Sequence, residues 1–267
     1  MSQPFRLNKE GLINRNKKIS FTFNGKKLFG YEGDTIASAL IANGIHLVGR
    51  SFKYHRPRGF FGAGVEEPNA KLQVEFNGHS EPNVNATEME LVEGLSATSQ
   101  NCWPSVNFDI GAINNFLKMF FPAGFYYKTF MWPKSFWYKI YEPFIRKAAG
   151  LGVASIEKDK ERYEHKYEYC DLLVTGSGPS GLASAYAAAK NGAKVILAED
   201  KPRFGGTLLT DDVSIDNLSG KDWAEKIITE LKSMPNVTVK NRSQVFGYYD
   251  HNMLVMFERV SDHLEKK

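Results

Sequence analysis

The feature that most limits what this chain can fold into is a glycine-rich turn, TGSGPSG, at residues 175–181. An apolar run precedes the turn and an alanine-rich run follows it. We therefore expect a strand over 171–175, a helix over 180–190 and a second strand over 194–198. Beyond the turn, the spacing continues through four further positions of the same pattern, Ala185, Gly192, Val195 and Glu199. This strand–turn–helix–strand arrangement is typical of the first half of a Rossmann-like, dinucleotide-binding α/β domain.

The residue types in the turn have physical roles in holding a dinucleotide. Gly176 permits the tight turn, Gly178 lets the backbone approach the pyrophosphate, and Gly181 allows the helix and strand to pack closely. The N–H groups at the start of the helix would hold the diphosphate. A second glycine pair followed by a threonine, Gly205-Gly206-Thr207, comes shortly after Glu199. That arrangement is similar to the flavoprotein superfamily that binds two dinucleotides.

The acidic residue at position 199 bears on which dinucleotide is bound. A carboxylate at the end of the second strand can accept hydrogen bonds from a ribose, and it disfavours a 2′-phosphate, so NADP is the less expected ligand. Lys201 and Arg203 lie close by and weaken that exclusion. The pattern leaves NAD and FAD open, because both carry an adenosine diphosphate.

The beginning of the chain predicts a small α+β module. In residues 17–30, alternating apolar residues flank Asn24-Gly25, the pair preferred in a two-residue hairpin turn. A helix start signal at Asp34 and Thr35 precedes an apolar helical period that ends at Gly44, and residues 70–78 alternate again as a strand. Hairpin, helix, long loop and strand together indicate a ferredoxin-like β-grasp module over residues 1–99.

Residues 100–168 are expected to connect this module to a partial dinucleotide-binding domain over 169–267. Thirteen of the 35 aromatic residues lie between Phe116 and Phe144, and three prolines in that stretch prevent one long helix. Such aromatic density either packs internally or covers a neighbouring domain or partner subunit, where aromatic side chains give large contact areas. The charged stretch 155–168 lacks apolar periodicity and is expected to be a linker or a solvated helix.

Composition argues against several classes of protein. The net charge of +4 is mild and dispersed, so nucleic acid is not an expected partner. No apolar run approaches the roughly 20 residues that span a bilayer, and the first residues do not resemble a signal peptide. Two distant cysteines, Cys102 and Cys170, do not suggest a disulfide framework. We therefore expect a soluble protein of the cytoplasm, without a membrane partner.

Longer stretches of sequence make a family resemblance specific. They are FTFNGKKLFGYEGDTIASALIANGIHLVGRSFKYHRPRG, FFPAGFYYKTFMWPKSFW, YEPFIRKAAGLG and VFGYYD. They closely resemble the α subunit of heterotetrameric sarcosine oxidase. That family oxidatively demethylates sarcosine to glycine, reduces oxygen to hydrogen peroxide and passes the one-carbon unit to tetrahydrofolate. The resemblance implies partner β, γ and δ subunits. It also implies NAD in the α subunit, with FAD and covalent FMN in the β subunit and at the α/β interface.

The resemblance also implies a set of cofactor-binding residues that take no part in the chemistry. The glycine turn would contact the pyrophosphate, Glu199, Asp200 and Lys201 would surround the adenosine ribose, and Thr207 would lie beside the phosphates. Val245 would offer its backbone to the adenine. The whole expected set is Gly176, Ser177, Gly178, Pro179, Ser180, Gly181, Glu199, Asp200, Lys201, Gly206, Thr207 and Val245. No catalytic residue is expected in this chain, because amine oxidation belongs to the flavin of the partner subunit.

An iron–sulfur cluster and other metal sites are not expected. Related α subunits of opine oxidases, cyanide synthases and some amino-acid dehydrogenases carry a [2Fe–2S] cluster in this module, and such a cluster needs about four thiolates. Between Arg50 and Gly78, where the ligand loop RPRGFFGAGVEEPNAKL should hold them, the sequence has no cysteine. We interpret His55 as an ordinary hydrogen-bonded histidine, and Glu66 and Glu67 as loop structure rather than metal ligands.

Length is the largest departure from the family, whose α subunit is several times longer. We therefore expect a truncated or split subunit whose remaining part another polypeptide could carry. We also expect weak or absent NAD binding and no sarcosine oxidation by the chain alone, since a half-built sheet leaves apolar surface and an open edge. One alternative is a non-catalytic docking module with a vestigial dinucleotide site. Another is a subunit of a related opine or amino-acid dehydrogenase using FAD, against which the cysteine-free loop argues.

Overall fold

The structure is a computed structural model that describes residues 3–9, 11–120, 124, 130–149, 152–158 and 162–261. Its strands are β1 (Asn14–Phe23), β2 (Lys26–Glu32), β3 (Gly49–Arg50), β4 (Pro57–Arg58), β5 (Lys71–Phe76), β6 (His79–Asn85), β7 (Ser96–Ser99), β8 (Leu172–Thr175), β9 (Val195–Ala198), β10 (Ser214–Ile215), β11 (Leu218–Ser219), β12 (Val237–Lys240), β13 (Ser243–Tyr249) and β14 (Met253–Glu258). Its α-helices are α1 (Ile36–Ala42), α2 (Glu142–Ala149), α3 (Pro179–Lys190) and α4 (Gly220–Ser233). The chain divides into two compact units, and the second begins at Arg162.

The first unit is built on a mixed five-stranded sheet in the order β2-β1-β7-β5-β6. Strands β1 and β2 form the expected hairpin, in which Asn24 and Gly25 both take positive φ, as a type I′ turn requires. Strand β1 pairs in parallel with β7, whereas β5 pairs antiparallel with both β6 and β7. This arrangement confirms the predicted β-grasp module.

Helix α1 closes the apolar face of this sheet. Thr35 accepts from the Ser38 N–H, and the Ser38 hydroxyl accepts from the Thr35 N–H, which makes a capping box at the predicted helix start. Five of the seven residues of α1 are buried. They pack with buried side chains of β1, β5 and β7 and of the adjoining loops to form the first hydrophobic core, whose largest members include Phe21, Phe23, Ile36, Leu40, Leu72, Val74 and Leu95.

The described part of the aromatic segment exposes many of its apolar side chains. It contains short 3-10 turns, a π-helical turn over Trp137–Tyr141, and helix α2. Phe116, Met119, Trp132 and Tyr138 are each more than four-fifths exposed. Residues 121–123 and 125–129 of the predicted aromatic segment, and residues 159–161 of the predicted linker, lie outside the described residues.

The second unit has a three-stranded parallel sheet in the order β12-β9-β8. Helix α3 connects β8 to β9, and α4, which is capped by the Ser219 side chain, precedes β12. Side chains of both helices bury against the sheet in a second core, which includes Val174, Leu182, Ala185, Leu197, Trp223, Ile227 and Leu231. The predicted βαβ unit is therefore present, and it places the carboxyl ends of β8 and β9 side by side.

The hairpin of β13 and β14 presents a partly apolar surface. Its two strands pair antiparallel from Ser243 to Glu258. Phe246, Tyr248, Tyr249 and Met253 are all more than half exposed. Among the described residues, no helix has both the length and the apolar character needed to cross a bilayer.

Candidate functional site

The glycine loop, defined as residues 176–181, lies where β8 ends and α3 begins. Gly176 has a φ of +91°, and its N–H donates to the Ala198 C=O at 2.7 Å, which joins the loop to the end of β9. Gly178 is the N-cap of α3, and Pro179 occupies the start of the helix, where a missing N–H is tolerated. Among the described residues, no side chain caps this end of α3. The first-turn N–H groups, including that of the exposed Ser180, are therefore suited to donate hydrogen bonds to an external phosphate.

Two glycines of the loop differ in what surrounds them. A Cβ atom added to Gly181 would lie 2.0 Å from the carbonyl oxygen of Gly176, so only glycine fits at that position. A Cβ added to Gly178 would have no atom of the described residues within 4 Å, apart from those of Gly178 itself and its two chain neighbours. Gly181 thus serves the close packing of helix against strand, and Gly178 faces open space where a ligand can approach the backbone.

Glu199 directly follows the end of β9, and this residue is 4% exposed. Ser177 donates to the Glu199 Oε2 with its N–H at 2.7 Å and also with its hydroxyl, and the Lys201 N–H donates to Oε1 at 3.0 Å. A carboxylate offers about four acceptor positions. The Ser177 and Lys201 donors therefore fill three of them, and the remaining position is available to the Asp200 carboxyl or, in a complex, to a ribose hydroxyl.

The charge state of Glu199 is coupled to that of Asp200. Burial, and next the hydrogen bond with the Asp200 carboxyl, raise the pKa of Glu199 above its ordinary value, although the donors from Ser177 and Lys201 oppose this. Burial would also raise the pKa of Asp200, but the hydrogen bond with Glu199 and the nearby Lys201 ammonium lower it overall. The pKa values of the two carboxyl groups are thus shifted in opposite directions, and the Lys201 Nζ lies 3.6 Å from the Asp200 Oδ2.

A second glycine loop, residues 205–207, contacts the first. The Gly205 N–H donates to the Ser177 hydroxyl at 3.0 Å. Gly206 has a φ of +54°, and a Cβ added there would lie 2.9 Å from the Cα of Gly178. Thr207 is exposed at the start of a short 3-10 turn. The two loops therefore approach each other backbone to backbone, and side chains would prevent that approach.

The structure thus brings most of the expected site residues to one edge of the parallel sheet. Val245 is placed differently, in β13, where it pairs with Met256. Strand β13 nevertheless starts beside the site, because the Ser243 N–H donates to the Glu199 C=O at 2.8 Å. The arrangement fits an adenosine diphosphate: N–H groups for the phosphates, an open backbone surface at Gly178, and carboxylates for the ribose.

One residue has a larger role than its sequence position indicates. Ser177 is fully buried and joins the glycine loop, Glu199 and Gly205 through its N–H and hydroxyl. The sequence places this residue only in the glycine turn that is expected to contact the pyrophosphate. The only sequence feature that could have indicated this role is a small hydroxyl side chain between two glycines. The hydrogen-bond partners of that side chain, Glu199 and Gly205, are 22 and 28 residues away in sequence.

Two family models match the chain. Residues 16–102 match the model described as a 2Fe-2S iron-sulfur cluster binding domain, and residues 171–249 match the FAD dependent oxidoreductase model. The matches confirm a ferredoxin-like module followed by a domain of the FAD dependent oxidoreductase type. The likeness to a crystal structure of L-proline dehydrogenase from P. horikoshii covers 96% of this chain and 39% of that one. Its TM-score is 0.59 at 18% identity, and it bears on the fold alone.

The residues of the first unit do not fit an iron–sulfur cluster. Such a cluster requires about four thiolates, but Cys102 is the one cysteine within the matched range. In the described ranges, no three or more histidine, cysteine or acidic side chains are grouped so that they could hold a metal ion. His55 instead pairs through Nδ1 with Asp109 Oδ2 at 2.6 Å, in agreement with its interpretation as a hydrogen-bonded histidine.

Curated relatives match nearly the whole chain. The sarcosine oxidase subunit alpha of Rhizobium meliloti (strain 1021) is 55% identical over 98% of this chain, and that of Corynebacterium sp. (strain U-96) is 32% identical over 99%. The chain spans 26% and 23% of these two relatives, respectively. The chain is therefore homologous to the N-terminal portion of sarcosine oxidase α subunits.

Proposed function

We propose that the second unit binds the adenosine diphosphate half of NAD, as part of the α subunit of a sarcosine oxidase complex. The observation that carries this proposal is the meeting of the two glycine loops with Glu199 at the carboxyl ends of parallel strands. Ligands of open α/β sheets bind at this edge. NAD is preferred over NADP because two adjacent carboxyl groups, Glu199 and Asp200, would face a 2′-phosphate.

The chain's own residues would bind and orient the cofactor rather than react with it. The first turn of α3 would hold the pyrophosphate, and Glu199 Oε1 would accept from a ribose hydroxyl. In the complex, the flavin of the β subunit would oxidise sarcosine to the level of glycine plus a one-carbon unit. Oxygen would take up the electrons as hydrogen peroxide, and tetrahydrofolate would accept the carbon. The similarity to sarcosine oxidase α subunits supports this proposal, as does the match to an oxidoreductase domain.

FAD is the second candidate ligand for the same site, because the matching family model describes FAD dependent oxidoreductases. Saturation-transfer NMR on the purified chain, with NAD, NADP, FAD and ADP-ribose at millimolar concentration, separates the candidates. We expect saturation transfer to NAD and to ADP-ribose. The affinity for NADP is expected to be lower than that for NAD by at least about tenfold. Preferential transfer to FAD would replace NAD by FAD. No transfer to any of the four, both for the chain alone and for the assembled complex, would contradict a dinucleotide site.

We expect no sarcosine-dependent oxygen consumption by the isolated chain. The physical reason is that this chain's residues are expected to bind a dinucleotide, whereas the family resemblance assigns amine oxidation to the flavin of the partner subunit. An oxygen electrode and a peroxide assay with sarcosine and tetrahydrofolate test this expectation. Peroxide formation above the level of a sarcosine-free control would show that chemistry resides in this chain.

Nucleotide binding is expected to weaken on acidification, in a range where an ordinary glutamate is still ionised. The pKa of Glu199 is raised, by burial and by Asp200, and only the ionised carboxylate accepts fully from a ribose hydroxyl. Affinity should therefore increase as the pH rises through the raised pKa of Glu199. Below that pKa it should fall by up to about tenfold per pH unit. Titrations of NAD into Glu199→Gln should lack this dependence, and an equal pH profile in the variant would assign it to another group.

The exposed aromatic segment is proposed as the contact surface for partner subunits, β, γ or δ, in a cytoplasmic complex. Phe116, Trp132 and Tyr138 expose most of their apolar area, and aromatic side chains are enriched in protein interfaces. Pull-down of the partner subunits by the wild-type chain and by a Trp132→Ala, Tyr138→Ala double variant tests this surface. Equal recovery of partners would place the interface elsewhere.

A further inference from the structure

The loop between β4 and β5 directs several of its backbone N–H groups toward one carboxylate. We call residues 59–70 the Glu67 loop. Phe61 and Gly62 donate to the Glu67 Oε2, the former at 2.6 Å. Asn69 and Ala70 donate to Oε1 at 2.7 and 3.1 Å. Four N–H groups from both ends of the loop thus converge on a single side chain.

The Glu67 carboxylate is enclosed as well as hydrogen-bonded. It is 1% exposed, and in the described part of the chain its partners are backbone N–H groups rather than lysine or arginine. Burial alone would raise the pKa of Glu67, but the four N–H groups lower it below its ordinary value. The loop therefore stabilises a buried negative charge without a side-chain cation.

Converging backbone N–H groups of this kind form anion-binding concavities, which elsewhere hold phosphates and iron–sulfur clusters. The Glu67 loop lies within residues 16–102, which match a cluster-binding domain. The same range lacks the thiolates a cluster needs. The backbone is thus arranged for an anion, and the chain supplies that anion itself.

We propose that the Glu67 carboxylate is a built-in anion that closes this loop in place of a cluster, so that the first unit folds without metal. The same geometry implies a latent binding site. With the Glu67 side chain removed, the four N–H groups should bind a small carboxylate such as formate.

The test compares Glu67→Ala with wild type by thermal unfolding and by hydrogen exchange of the amides of residues 61, 62, 69 and 70. We expect the midpoint of the first unit to fall by about 8 °C and the four amides to exchange faster. Sodium formate should raise the variant's midpoint by several degrees more than sodium chloride at equal ionic strength. Wild type should show no such difference. Formate should also slow exchange of the same four amides.

Glu66→Gln is the matched control. Glu66 is the neighbouring glutamate and accepts from the Ala63 and Gly64 N–H groups at 3.0 Å, but it is exposed. We expect a much smaller shift for this variant and no specific effect of formate. A Glu67→Ala midpoint equal to that of wild type, or an equal response to formate and chloride, would overturn the proposal.

Two further measurements apply if Glu67→Ala does not fold. Glu67→Gln keeps the shape and loses the charge, and its midpoint should fall well below that of Glu66→Gln; equal midpoints would count against the proposal. Anaerobic incubation of the wild-type chain with ferrous iron and sulfide should yield no visible iron–sulfur absorption. Stoichiometric uptake of a cluster would show that the loop still serves a metal.

Discussion

Substitution of Gly181 by alanine is expected to abolish measurable dinucleotide binding, with a loss of affinity of at least about 100-fold. The added Cβ would lie 2.0 Å from the Gly176 carbonyl oxygen. That oxygen belongs to the backbone of the loop and has no flexible side chain that could move away. The start of α3 would have to shift outward, and the first-turn N–H groups would then no longer point to the position of the pyrophosphate.

The same substitution should also lower the stability of the second unit, because overpacking of this kind typically costs about 1–3 kcal/mol. Ligand titration and thermal unfolding on the same samples separate the two effects. Ser184→Ala, an exposed change one turn further along α3, is the control and should retain both affinity and midpoint. Undiminished NAD binding by Gly181→Ala would show that the loop does not hold the ligand.

The second unit could be predicted from sequence because its signals are local. The apolar run, the spaced glycines and the alanine-rich run lie next to one another within one βαβ unit. They predict its strand, its turn and its helix without reference to distant parts of the chain. The Asn24-Gly25 turn and the Thr35 cap of the first unit are local in the same way. These elements occur where the sequence pattern indicates, with bounds within a few residues.

The contacts that join distant segments could not be predicted in this way. Ser177 bonds to Glu199 and Gly205, and β1 pairs with β7 across more than 70 residues of sequence. The role of Glu67 depends on N–H groups that precede and follow it in a folded loop. Residue type and spacing do not specify such partners, because these depend on how the whole sheet assembles.

A buried ion pair in the first unit leads to the second large expected effect, a loss of about 3–5 kcal/mol in unfolding free energy on Asp34→Asn. Asp34 is 2% exposed and receives both terminal nitrogens of Arg6, at 2.9 and 2.8 Å. It also accepts from the Ser38 hydroxyl at 2.7 Å and the Tyr31 N–H at 2.8 Å. An asparagine there would present an NH₂ group to these donors and leave the Arg6 charge without its partner.

Because Asp34 joins several segments of the first unit, its replacement should destabilise more than the start of α1. The residue precedes the cap of α1, its C=O accepts from the Leu91 N–H at 2.9 Å, and Arg6 holds the N-terminal segment onto it. Chemical denaturation followed by circular dichroism measures the effect. Glu32→Gln is the control, because its ion pair with Lys17 is about half exposed on both sides, and exposed pairs contribute under about 1 kcal/mol. If Asp34→Asn were no more destabilising than Glu32→Gln, hydrophobic packing of α1 alone would account for the stability of this end of the sheet.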